Sequence, residues 1–157
     1  MKKTLILGIG NPLFSDEGIG PYAVEELKKY ALPVNVDVID GGTGGFGLIR
    51  YFQQYDNIIV IDAVDMNTAP GTIRKLKLSD VEGKTHTCHS LHQTSFTEIV
   101  QFANTLGNFP EITIFGVQPE NTKNLGGLTP EIKKSMPALI AWLMEEIKKL
   151  NSFLTQK

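Results

Sequence analysis

The sequence predicts a three-layer α/β fold, a mostly parallel twisted sheet of about five strands with helices on both faces. Three observations carry that prediction. Short, nearly continuous apolar runs, LILGI at 5–9, IIVI at 58–61 and ITIFGV at 112–117, have the character of strands buried on both faces. Segments with helical spacing separate them, and strands that alternate with helices favour parallel pairing. The strands also end in glycine-rich or acidic stretches, where open parallel sheets bind their ligands.

The chain has 157 residues, long enough for one domain with a substantial core, and residues 1–157 are read as a single domain. Hydrophobic residues make up 41% and charged residues 20%, with a net charge of −2, which argues against disorder and against a nucleic-acid footprint. Lys2-Lys3 and the following apolar run superficially resemble a secretory leader, but Asn11, Pro12, Asp16 and Glu17 interrupt it too early. No apolar stretch approaches the roughly 20 residues that cross a bilayer. Cys88 is the only cysteine, so no internal disulfide framework is expected and a reducing cytoplasm fits.

Taken in order, residues 5–9 form the first strand and stop at Gly10-Asn11-Pro12; a polar loop then delivers Ser15, Asp16 and Glu17 to a helix over about 19–31. Pro21 suits only its first turn. Val34 to Ile39 alternates apolar and polar residues as a second strand and leaves through Asp40-Gly41-Gly42-Thr43-Gly44-Gly45. Phe46 to Tyr55 predicts a short helix, and Asn57 to Ile61 a buried strand closed by Asp62. Pro70-Gly71 marks a turn before an alternating, half-exposed edge strand over Thr72 to Leu78, which can run antiparallel. Residues 79–92 lack periodicity, hold His86, His89 and His92, and read as a surface loop. Phe96 to Leu106 is helical and closed by Gly107; Glu111 to Val117 is another strand. Thr129-Pro130-Glu131 starts a last helix, with threonine as cap and proline in the first turn, and Pro137 predicts a kink or split within it.

Each chemical constellation has an ordinary alternative. Gly8-Ile9-Gly10 begins a dinucleotide fingerprint, but the third glycine falls on Leu13 and the acid pair would face the phosphates. Asp16 and Glu17 alone could simply stabilise a helix N-terminus, by roughly 0.3–1 kcal/mol. Asp62 shifts the balance, because an acid ending an apolar strand is costly to bury without a partner. Two carboxylates meeting at strand ends favour a cation between them, and an imidazole from the 86–92 loop would complete its shell. The spacing HTCHSLH matches no standard structural zinc motif. No G-x-S-x-G or H-E-x-x-H occurs, and Cys88 is more readily an incidental residue or a soft ligand than a nucleophile.

Six segments together, GIGNPLFSDEGIG, DGGTGG, IDAVDMNTAPGTI, SLHQTSF, GVQPE and GLTPEI, resemble the hydrogenase maturation protease family in the right order from about residue 4 to 135. The resemblance implies a twisted sheet with helices on both sides, and an endopeptidase that removes the C-terminal extension of a nickel-iron hydrogenase large subunit after nickel insertion. Carried over by position, the metal-binding and catalytic residues are Glu17, Asp62 and His92, with Asp40 as a further acid of the cleft. The implied metal is nickel supplied by the substrate, and zinc or cadmium could occupy the same trio. The implied partner is the precursor's C-terminal tail, with no nucleic acid or membrane. His86, His89 and Cys88 are extras to the family pattern, and the acid pair is Asp-Glu rather than two aspartates. The rival readings are a zinc-dependent hydrolase of other specificity and a nickel-sensing or chaperone module without proteolysis.

Overall fold

The computed structural model describes residues 1–43, 45–81, 96–107 and 109–152. Five strands form one sheet: β1 (Thr4–Ile9), β2 (Val36–Gly42), β3 (Asn57–Ala63), β4 (Ile73–Leu76) and β5 (Glu111–Val117), in the order β2-β1-β3-β5-β4. The first four of that order are parallel; β4 closes the β5 edge antiparallel, with Ile73 opposite Val117. This is the mostly parallel architecture the sequence predicts. β1 and β3 are buried along their whole length, which explains why both read as unbroken apolar runs.

The helices are α1 (Ile19–Leu27), α2 (Ile49–Phe52), α3 (Leu78–Val81), α4 (Phe96–Asn104) and α5 (Pro130–Ser152), with 3-10 turns at Ser15–Gly18 and Gly45–Leu48. Side chains alternate across the sheet and build two cores. Ile6, Ile59, Ile61 and Phe115 pack against Ile19, Ala23 and Leu27 of α1 and Leu139, Leu143 and Ile147 of α5. Leu5, Leu7, Ile58, Val60 and Ile114 pack on the other face against Phe52 of α2 and Ile99, Val100 and Ala103 of α4. Apolar burial on both faces is the main stabilising term of such a sheet.

Three local expectations are corrected. The second strand begins at Val36, because Val34 is 94% exposed and Pro33 precedes it in a turn whose carbonyl accepts from the Val36 N–H. The first helix ends at Leu27, four residues early, in a series of turns over 28–30. Pro137 does not split the last helix, which runs unbroken for 23 residues. Pro137 and Lys133 are both exposed, so the carbonyl that loses its N–H partner faces water, while Ile132, Leu139 and Ile140 hold the helix to the sheet on both sides of the proline.

Candidate active site

Two glycines bring the 15–18 turn down onto the carboxyl ends of β1 and β3. Gly10 has φ +137°, and a Cβ there would collide with the Glu17 carbonyl. Gly20 lies so close to the Ile9 and Ile61 carbonyls that any side chain would displace the start of α1. These contacts, rather than a phosphate, account for glycine in this loop. Ser15 is held at φ +51°, unusual for a residue with a side chain, and its buried position at this turn is the kind of strain that surrounding structure must hold in place.

The neighbours Asp16 and Glu17 have different fates. Asp16 is 1% exposed, and its carboxylate accepts the backbone N–H groups of Glu120, Asn121 and Thr129 at 2.8–3.0 Å, together with the Thr129 hydroxyl. It thereby clasps the segment after β5 to the 15–18 turn. Thr129 precedes α5 as the cap position predicts, but its hydroxyl is turned to Asp16. Glu17 is also buried, and it stands close enough to Asp62 of β3 to disfavour that residue's charged form. Burial is the larger cause pushing the Asp62 carboxyl well above the usual carboxylate range; a hydrogen bond from the Ala63 backbone opposes it, and Glu17 adds to it. Asp62 Oδ2 has no hydrogen-bond partner among the described residues. A buried acid oxygen without a donor, beside a second buried acid, is a donor set suited to a cation.

Gln118, at the end of β5, was not singled out from the sequence. It is buried, and its Oε1 accepts from Met66 N at 2.6 Å and from Thr68, while Nε2 donates to Asp65. It fixes the loop that follows Asp62. The available signal was a polar residue closing an apolar strand, the same signal that marked Asp62.

Asp40 is not brought to the pair. Gly8 of β1 stands opposite both Asp40 and Ile61, so Asp40 shares the sheet face of Ile61, and Asp62 points to the other. Strands β2 and β3 are also roughly 10 Å apart across β1. Asp40 is exposed and its Oδ1 accepts the Gly42 N–H at 2.8 Å. His86, Cys88, His89 and His92 lie outside the described residues. Among the described residues, no group of three or more His, Cys, Asp or Glu side chains is gathered as a metal cluster, and no helix is long and apolar enough to cross a membrane.

Fold and site together define an α/β protein with two buried carboxylates, Glu17 and Asp62, gathered at the carboxyl edge of a mostly parallel sheet. The hydrogenase maturation protease family profile matches residues 21–146, and the chain belongs to that family of endopeptidases. It is 42% identical over 135 residues to the hydrogenase expression/formation protein HupD of Bradyrhizobium diazoefficiens, covering 83% of this chain and 70% of that one. It is 37% identical over 141 residues to the hydrogenase 2 maturation protease of Escherichia coli, covering 87% and 86%. The solved structure of the E. coli hydrogenase maturating endopeptidase HybD superposes with a TM-score of 0.83 at 32% identity, over 94% of this chain and 93% of that one.

Proposed function

We propose that this protein is the cytoplasmic endopeptidase that removes the C-terminal extension of a nickel-iron hydrogenase large-subunit precursor once nickel is in place. The observation that carries the reading is the burial of Asp62 beside Glu17, with Asp62 Oδ2 lacking a donor. Glu17 and Asp62 supply two oxygens and His92 one nitrogen to the nickel held by the substrate, a mixed set that nickel, zinc and cadmium accept. The positions this trio leaves open are filled by the precursor's own nickel ligands. That arrangement brings the scissile bond beside the acids, where a carboxylate serves as base for the attacking water. Asp40, whose side chain faces the opposite side of the sheet from Asp62, takes no part in this set.

The test is incubation with nickel-loaded and nickel-free precursor, reading the mass of the large subunit. Shortening of the loaded form alone is expected, and absence of shortening overturns the reading. In the same assay His92→Ala is expected to abolish processing, whereas His86→Ala, His89→Ala and Cys88→Ser retain it. Full activity of His92→Ala removes that residue from the ligand set. Loss on Cys88→Ser in a folded protein points instead to a thiol nucleophile.

A further inference from the structure

The end of β5 and its exit, Gly116 to Asn121, touch the surroundings of both buried acids. At the strand end Gly116 stands opposite Asp62 and Val117 opposite Ala63, and the Val64 N–H donates to the Val117 carbonyl at 3.0 Å. At the far end the Glu120 and Asn121 N–H groups donate to Asp16 Oδ2 at 2.9 and 3.0 Å, and the Asp16 N–H donates to the Asn121 carbonyl at 2.9 Å. Glu17 is the next residue. Between these two attachments lies Gln118. Its Oε1 accepts the Met66 N–H at 2.6 Å and the Thr68 N–H and hydroxyl at 3.4 and 3.3 Å, and its Nε2 donates to Asp65 Oδ1 at 3.3 Å. Its backbone is tied as well: the N–H donates to the Thr72 carbonyl and the carbonyl accepts from Gly71, both at 2.9 Å.

An apolar residue could close β5 without desolvating an amide. Gln118 is 8% exposed, and its burial is tolerable only because both ends of its side chain find partners. Those partners are the loop that leaves Asp62. Pro119 follows directly and holds its own φ at about −65°, so the step from Gln118 to the Glu120 amide has little freedom. We infer that residues 116–121 are the spacer that sets the distance from Asp62 to Glu17, with Gln118 as its pin and therefore a positioning residue of the site. Two carboxylates that share one metal ion need their oxygens held at a fixed span, and the groups that hold metal ligands govern affinity or activity by roughly tenfold to a hundredfold. This rests on the metal-recognising endopeptidase reading above and names the device that tunes its acid pair.

The experiment uses Gln118→Met, which keeps the length of the side chain and removes its hydrogen bonds, Gln118→Glu, and the exchange Gln118→Glu/Asp65→Asn, which reverses donor and acceptor at their contact. Lys75→Met, on the α5 face, is the destabilised control. Kd for cadmium ion alone is measured by calorimetry, with melting temperature, hydrogen exchange of the Glu120 and Asn121 amides, and kcat and KM for shortening of the nickel-loaded precursor. Gln118→Met is expected to raise the cadmium Kd roughly tenfold to a hundredfold, to speed exchange at both amides and to lower kcat more than it raises KM. Lys75→Met is expected to lower the melting temperature and leave cadmium Kd, exchange and kcat at wild-type values. Gln118→Glu supplies the comparison if Gln118→Met does not fold, and adding Asp65→Asn is expected to recover most of its cadmium affinity. Gln118 variants that melt lower yet bind cadmium and exchange as Lys75→Met does overturn the inference and leave Gln118 a purely structural residue. If wild type shortens precursor without binding free cadmium, kcat and the two amides decide the matter in the same way. A cadmium Kd sensitive to Gln118 in a protein that never shortens precursor sinks the proteolytic reading alone; wild type that neither binds cadmium nor shortens precursor overturns both.

Discussion

A carboxylate that accepts hydrogen bonds from three backbone amides answers to the loss of its charge differently from one that faces a second acid. Asp16→Ala strands the amides of Glu120, Asn121 and Thr129, and is expected to cost about 2–5 kcal/mol in denaturant unfolding. Glu17→Gln, one residue on, is expected to abolish processing with no loss of stability. Equal destabilisation by the two would contradict the division of roles. Asp62 gives a sharper case. Its folded-state carboxyl is raised above the ordinary value of 3.8, chiefly by burial. Between the unfolded and the raised value the native state holds a proton that the unfolded chain has released, so stability present below the unfolded value is lost as pH climbs through the raised one. Asp62→Asn is expected to stabilise the metal-free protein by about 1–3 kcal/mol at neutral pH, flatten that pH dependence and stop processing. Melting curves from about pH 4 to about pH 8, a range that starts at the ordinary carboxylate value and rises above it, check the sign. A variant less stable than wild type at the upper end would refute it.

At the scale of elements, α5 shows how an unfavourable residue is carried by its surroundings. Pro137 removes one backbone bond on the solvent side, while the apolar stripe on the opposite side remains seated on β3 and β5 through Ile132, Leu139 and Leu143. Pro137→Ala restores the bond and removes the ring's clash, against a smaller gain in unfolded-chain entropy. A net stabilisation of about 1–2 kcal/mol is expected from urea midpoints. The turn at 15–18 is the converse, an element too short to be stable alone that is fixed by Gly10 and Gly20 beneath it and by the 120–129 segment above it. Its acids are positioned by the loop after β5, so changes in that loop are felt at Glu17.

For the molecule as a whole, the parallel order puts the carboxyl ends of β1, β3 and β5 on one edge, which is where Glu17, Asp62 and Gln118 gather. The antiparallel β4 guards the sheet's far side and is tied to α5 by an ion pair of 2.6 Å between Lys75 and Glu146. Glu146 is 6% exposed, and its Oε2 has no other partner among the described residues. Removing the lysine leaves a buried carboxylate alone, so Lys75→Met is expected to destabilise by about 1–3 kcal/mol, discounted because the lysine is partly exposed. Adding Glu146→Leu should recover most of that loss, since an apolar pair replaces an uncompensated charge. A double variant no better than Lys75→Met alone would show that the pair is not what holds β4 to α5.

The alternation of strands and helices, the two-faced burial of β1 and β3, and the placing of Glu17 and Asp62 at strand ends were legible in the sequence. Each depends on periodicity, or on an acid interrupting an apolar run, and both are local. The partners of these residues were not legible. Asp16 meets amides 104 to 113 residues away, and nothing in Ser-Asp-Glu-Gly says which acid turns outward to them and which turns in toward Asp62. Asp40 reads like Asp62 along the chain, yet the register across Gly8 sends the two to opposite faces of the sheet. Sequence pattern determines which residues an element buries; where a side chain points in a turn, and what it meets there, is set by non-local contacts that only the folded chain creates.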